Sequence, residues 1–275
     1  MKKLLGIVIA IVSVFVLIGC QSKTTMPSVN EKDEVKLTSS EFKTKVNTSS
    51  INPSDTLEVN FGIEMNAKVY GQTIKGKISL EGLKQNDKAS LKLSVDGKSN
   101  KDSIKGDINL YQKADKAYLK LNLADTDALS QLGFISGINF KNGEYILPYT
   151  VLDQINTTYP DTSDILEVIN NDEFLNELIA KGGIKFYEND NDFRIKINMT
   201  KDMLEKLIGS QQNFDKYLFE TVIVVKDKKI VEVGASIEIK VKENGSNTEM
   251  KFEGLVKISN KNVDLPDFSN YKEFK

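Results

Sequence analysis

The stretch Leu57-Glu58-Val59-Asn60-Phe61-Gly62-Ile63-Glu64-Met65 decides the fold. Large apolar side chains hold the odd positions and Glu, Asn or Gly the even ones, and Val69 keeps the same parity. Successive side chains of a strand point to opposite faces, so a period of two describes a strand with one apolar and one polar face. Working outward, Gly71-Gln72 reads as a tight turn and Ile74, Ile78 and Leu80 as the next strand. Leu91, Leu93 and Val95 follow, with Asp96-Gly97 as a turn signal. Ile104, Ile108 and Leu110, then Leu119, Leu121 and Leu123, complete a meander of five strands.

The period then changes. Asp125 to Ile135 and Asp164 to Ala180 space their apolar residues as amphipathic helices do, and Gly182-Gly183 stops the second. Alternation resumes at Ile184 and Phe186, turns through Glu188-Asn189-Asp190-Asn191-Asp192, and returns at Phe193, Ile195, Ile197 and Met199. Thr200 can cap a short helix carrying Met203, Leu204 and Leu207. Three more strands, within Phe219–Val225, Ile230–Val241 and Met250–Ile258, close the chain. Strands with one polar face do not build a parallel sheet covered on both sides. The expected fold is α+β: a large curved antiparallel β-sheet, a half-barrel of about ten strands, with the amphipathic helices packed on its concave face.

Toward the N-terminus the chain reads Met1-Lys2-Lys3, an apolar run from Leu4 to Ile18, and then Gly19-Cys20. A basic start and an apolar run shorter than a membrane span are the order of a secretory signal. Leu17-Ile18-Gly19-Cys20 matches the bacterial lipobox, in which diacylglycerol alkylates the Cys thiol before cleavage. Residues 1–19 are therefore expected to be a signal peptide and Cys20 a lipid anchor on the extracytoplasmic face of the cell membrane. Residues 20–55, rich in Ser, Thr, Asn and Lys, read as a polar tether of about 35 residues reaching about 30–35 Å. Within it, Thr38-Ser39-Ser40-Glu41 ahead of Phe42 is a capping-box pattern, so a short helix can already belong to the domain. Residues 56–275 are expected to form one domain.

Cys20 is the only cysteine, so the domain has no internal disulfide and depends on an ordinary core. The formal charge of −2 gives no case for nucleic acid. Every basic residue but Arg194 is Lys, a usage that points to an AT-rich genome and, with the lipobox, to a Gram-positive source. There is no His, which removes Ser-His and Cys-His nucleophiles and imidazole metal sites. Ser40-Glu41-Phe42-Lys43 has a Ser-x-x-Lys spacing, but the companion elements of penicillin-recognising enzymes are missing. Glu188, Asp190 and Asp192 could offer oxygens to calcium, yet they sit between two strands and lack the Gly and distal Glu of an EF-hand, so they read as a hairpin loop. No catalytic residue, metal or cofactor is expected.

This layout of lipobox, polar tether, strand meander, inserted helices and closing meander is similar to that of the LolA/LppX superfamily, over about residues 55–268. The resemblance implies an open half-barrel lidded by helices, and a cavity between them that carries lipoproteins, glycolipids or acyl chains; related domains sense envelope components or bind partner proteins. No ligand-contact residue carries over by position. Read from the residues, the helix side chains that would line such a cavity are Leu129, Leu132, Phe134, Ile135, Ile165, Ile169, Phe174 and Leu178, and the strand side chains Phe61, Ile63, Leu93 and Leu121. The stretches 134–140 and 147–149 would form its mouth. Two expectations result: a membrane-anchored, non-enzymatic carrier of a lipid or acyl-chain ligand, or a scaffold or sensor with a packed interior that engages an envelope protein partner.

Overall fold

Alternation fixes which face of each strand is apolar, and cross-strand pairing turns these local faces into a single surface. The computed structural model describes residues 26–46, 55–69, 72–99, 102–124, 141–147, 172–190, 192–208, 215–243 and 246–273. In chain order the strands are β1 (Glu34–Val35), β2 (Thr56–Val69), β3 (Gln72–Gln85), β4 (Lys88–Ser99), β5 (Asp102–Lys113), β6 (Lys116–Leu123), β7 (Gly143–Leu147), β8 (Ile184–Glu188), β9 (Phe193–Thr200), β10 (Lys216–Lys226), β11 (Lys229–Glu243), β12 (Ser246–Ser259) and β13 (Lys272–Glu273). They form one curved, unclosed sheet in the order β1-β8-β9-β10-β11-β12-β2-β3-β4-β5-β6-β7-β13, antiparallel except for the β7–β13 pair.

The fold is thus mostly β, not α+β, and has thirteen strands among the described residues where the sequence predicts about ten. The extra three are β1, β7 and β13. Two of them are two residues long, and β7, five residues long, falls between the two stretches read as apolar loop and shares only Leu147 with them, so none offers a period to detect. The five-strand meander is present as β2 to β6, but Asp96-Gly97 lies inside β4, paired with Lys77 and Gly76, and is no turn. Asp227-Lys228 both take positive φ between β10 and β11, as a two-residue hairpin turn with right-handed strand twist requires.

The described helices are α1 (Ser39–Lys45), α2 (Asp172–Ala180) and α3 (Lys201–Ile208). The capping box of α1 forms as its sequence predicts: the Thr38 side chain accepts from the Glu41 amide, and the Glu41 carboxylate accepts from the Thr38 amide at 2.8 Å. α2 ends where the glycines place it, with Gly182 at φ 67°, Gly182 N–H donating to Ile179 and Gly183 N–H to Leu178. The expected helix at 125–135, and residues 164–171 of the second, lie outside the described residues. Among the described residues the helices pack over one end of the sheet, β8 to β10, rather than along its whole face. Phe42 of α1 and Leu175 and Leu178 of α2 fill that end against Phe186, Phe193, Ile195, Ile223 and Val225.

Residues 26–46 dock on the domain, although their polarity reads as tether. Met26 and Pro27 cross the polar face over Gly234 of β11, where a built Cβ would lie 2.4 Å from Pro27 Cδ. Arg194 grips Asp192 with two hydrogen bonds of 2.8 Å and donates its remaining nitrogen to the Ser28 carbonyl. The Tyr187 hydroxyl donates to Glu31, and burial, with that bond, pushes its phenol up to about 12. After β1 pairs with β8, the chain rounds the sheet edge and α1 lands on the apolar face. This strap explains why Val222, Ile223, Val224 and Val225 are all buried in succession: β10 is covered on both sides.

A second strap follows β12. Lys261 reaches Glu58 at 2.6 Å, Phe268 stacks on Tyr118 with centroids 3.7 Å apart, and Tyr271 meets both rings edge-on before β13 joins β7. Burial raises the Glu58 carboxyl, but bonds from Lys261, Asn60 and Ser259 and the Lys257 charge outweigh it and hold the group below its ordinary value.

The first strap gives a direct test. Gly234→Val should lift Met26 and Pro27 off the sheet and cost about 1–3 kcal/mol, the usual range for an overpacked site. Limited proteolysis followed by mass spectrometry would then show new cuts within 26–33, and an unchanged digest would count against the strap.

Candidate functional site

Register places side chains from eleven strands in one row of the apolar face: Ile184, Ile197, Thr221, Ala235, Gly254, Phe61, Leu80, Leu93, Ile108, Leu121 and Gly143. The next row toward the β2–β3 hairpin holds Met199, Phe219, Ile237, Phe252, Ile63, Ile78, Val95, Gly106 and Leu123. The row on the other side holds Val59, Gly82, Leu91, Leu110 and Leu119 in the β2–β6 half. None of these positions carries a charge. Directly opposed apolar pairs stabilise such a face strand by strand.

The two halves of this face differ in how far they are covered. At β8 to β10 it is closed by α1 and α2, with Phe42 1% exposed and Ile195 1%. Over β2 to β5, Val59, Ile63, Ile78, Leu91, Leu93, Val95, Ile108 and Leu110 are only half-buried. Phe61, Leu80, Leu119, Leu121 and Leu123 among them are buried. This half-buried apolar surface is continuous across four strands, with Val59, Ile78, Leu91 and Leu93 packed against the core cluster that includes Phe61 and Leu80.

The candidate residues divide accordingly. Ile63 on β2 and Leu93 on β4 lie in adjacent register rows on the half-buried part, with β3 between them. Phe61 is packed in the core with Leu80, Met199, Tyr217 and Phe219, and Leu121 is 4% exposed, so both form the floor of the face. Leu178 belongs to the filled end with Phe42 and does not join the others. Phe174 lies on α2, but its side chain is outside the description. Cys20, Leu129, Leu132, Phe134, Ile135, Ile165 and Ile169 lie outside the described residues, as do 134–140, 148 and 149 of the expected mouth.

Thr221 was not expected. Its hydroxyl, in the central row beside Ala235 and Gly254, is buried and has no hydrogen-bond partner among the described residues. A signal for it existed in the parity of Phe219, Thr221, Ile223 and Val225, where one hydroxyl stands in an apolar series. Tyr217, near one end of the face, has its phenol pushed up to about 12 by burial and stays neutral. The Glu188–Asp192 loop has the partners of a hairpin: Lys45 pairs with Glu188, Arg194 binds Asp192, and Asn189 closes the turn on the Asp192 amide at 3.1 Å. Among the described residues no group of three or more acidic or thiol ligands could hold a metal, and no helix is long and apolar enough to cross a membrane.

No family model and no curated protein matches the chain. Among solved structures, it aligns with a β-barrel-like protein of domain of unknown function DUF1849 from Brucella abortus, over 77% of this chain and 100% of that one, at 10% identity and a TM-score of 0.14.

Proposed function

We propose that this chain is a lipid-anchored, extracytoplasmic, non-enzymatic protein that takes up the acyl chain of a lipid on the apolar face of β2 to β5. The observation that carries this reading is the partial burial of that face, from Val59 to Leu110, beside an end that α1 and α2 cover more fully. An acyl chain laid across it removes methylene groups from water at about 0.8 kcal/mol each, so a handful of covered methylenes gives useful affinity. The charge-free rows give the chain a path across β2 to β5. The layout's similarity to the LolA/LppX superfamily supports the same ligand class. The anchor on Cys20 would keep the protein at the membrane that is its source of lipid.

Native mass spectrometry of the chain from Gln21 onward, paired with an organic extract of the same sample, tests this. A bound mass that extraction removes and that appears as a lipid in the extract is expected. An apo mass unchanged by incubation with envelope lipids would sink the carrier reading and favour a scaffold whose protein partner covers the same face.

A further inference from the structure

The polar face carries many lysines, and some are matched by acids across or along the strands. Lys77 pairs with Glu64, Lys92 with Asp107, Lys120 with Glu144 and Lys216 with Glu238. Others on this face have no ion-pair partner among the described residues: Lys88, Lys113 and Lys116 in opposed register at one end of the meander, Lys240 on β11, and four near the β2–β3 hairpin. Lys68 on β2, Lys75 on β3, Lys98 on β4 and Lys105 on β5 are all exposed, and none has an ion-pair partner among the described residues. Register aligns them as a stripe across adjacent strands. Lys75 is directly opposite Lys98, Lys68 is opposite Thr73, and Lys105 is opposite Asp96, the one carboxylate set among them. With strands about 4.8 Å apart, the stripe crosses about 14 Å of surface.

Like charges directly opposite one another destabilise a sheet, so the Lys75–Lys98 pair is a standing cost unless an anion sits between them. Lys75 and Lys98 also border a recess of about 590 Å³ on this face. Four carboxylates also line it: Glu64 and Glu238 are already paired with Lys77 and Lys216, Glu249 is two strands away from Lys75, and Asp96 lies between Lys77 and Lys105 in register.

The N-terminal strap lies on the same face of the sheet. Met26 and Pro27 rest on Gly234, and Met26 is six residues beyond Cys20, a stretch that spans at most about 20 Å when fully extended. An anchor at Cys20 would therefore lie within about 20 Å of this strap, less than the reach of a free tether of about 35 residues.

We propose that the polar face of β2 to β5 lies against an anionic bilayer, with Lys68, Lys75, Lys98 and Lys105 contacting headgroup phosphates. The cellular setting rests on the anchoring part of the proposed function; the lysine contacts do not. One acyl signal holds a protein on a membrane only marginally, and a basic patch supplies the second signal that stable attachment needs. A phosphate between Lys75 and Lys98 relieves their repulsion. The apolar face then points away from the headgroups and stays open to its ligand.

The test uses the unlipidated chain from Gln21 onward, which keeps every described residue, in co-sedimentation with vesicles. Binding to phosphatidylglycerol-containing vesicles, but not to pure phosphatidylcholine, is expected, and it should weaken as salt rises. Lys75→Gln with Lys98→Gln should weaken binding about 25-fold, at roughly fivefold per lysine, with the thermal midpoint no lower than that of the parent. Lys75→Arg with Lys98→Arg should retain it. Equal binding to both vesicle types, or full binding by the glutamine variant, overturns the proposal; so does binding to soluble poly(glycerol phosphate) without binding to vesicles. Because this chain has no lipid, a failure of Cys20 acylation, read from the mass of the membrane-extracted protein, is a separate result.

Discussion

Phe42→Ala is expected to lower the free energy of unfolding by about 3–5 kcal/mol, the range for removing a fully buried phenylalanine. Phe42 is 1% exposed, its ring lies 5.3 Å from Phe186 and 6.4 Å from Phe193, and it is the contact through which α1 joins the core at β8 to β10. α1 has only seven residues, too few for a helix to persist by itself in water, so without Phe42 its docking is lost as well as its burial. Chemical denaturation should show the loss directly, with a fall in thermal midpoint of about 10 °C. The variant also separates two accounts of residues 26–46. If they were a tether, Phe42 would be solvated in the folded state and its removal would change stability by less than about 0.5 kcal/mol.

The same residues show what the sequence does and does not disclose. The capping box at Thr38 and Glu41 is readable because its hydrogen bonds are local, formed between residues three apart. The strap before it is not, because its contacts join Ser28 to Arg194 and Glu31 to Tyr187, more than a hundred residues away. Polar composition shows that a segment cannot fold alone. It is silent on whether that segment can lie on a sheet that folds without it.

Strand period was the strongest signal, since each of the ten alternating segments became a strand and register joined them into one face. The edges were hidden for the same physical reason. β1 and β13 are two-residue pieces that cover β8 and β7, and their role depends on backbone groups, which every residue carries. Short edge strands of this kind leave little unpaired backbone for another chain to use, and the straps leading into them shelter apolar side chains on the polar face. Of the candidate site, the strand residues were legible from parity. Which of them would be floor and which half-exposed was not, because that depends on where the helices dock; Leu178, called to the cavity by helical period, fills the closed end instead.

The largest functional effect is expected from Ile63→Gln combined with Leu93→Gln. Both residues face the half-exposed part of the apolar surface, on β2 and β4, with Ile78 and Leu80 of β3 between them in register. Each substitution replaces branched hydrocarbon with an amide that an acyl chain can cover only by desolvating it, at about 1–3 kcal/mol where no compensating hydrogen bond forms. Two of them should weaken acyl-chain capture by at least about tenfold, read as the loss of co-purified lipid and of binding to a fluorescent fatty acid. In the free protein the amides keep partial access to water, so the stability cost should stay well below that of Phe42→Ala. Phe61→Leu, in the floor of the same face and 2% exposed, is the matching control: it should reduce stability and leave capture largely intact. If the glutamine pair binds lipid as well as the parent chain does, the ligand does not lie on β2 to β5, and the half-exposed face is there for a protein partner.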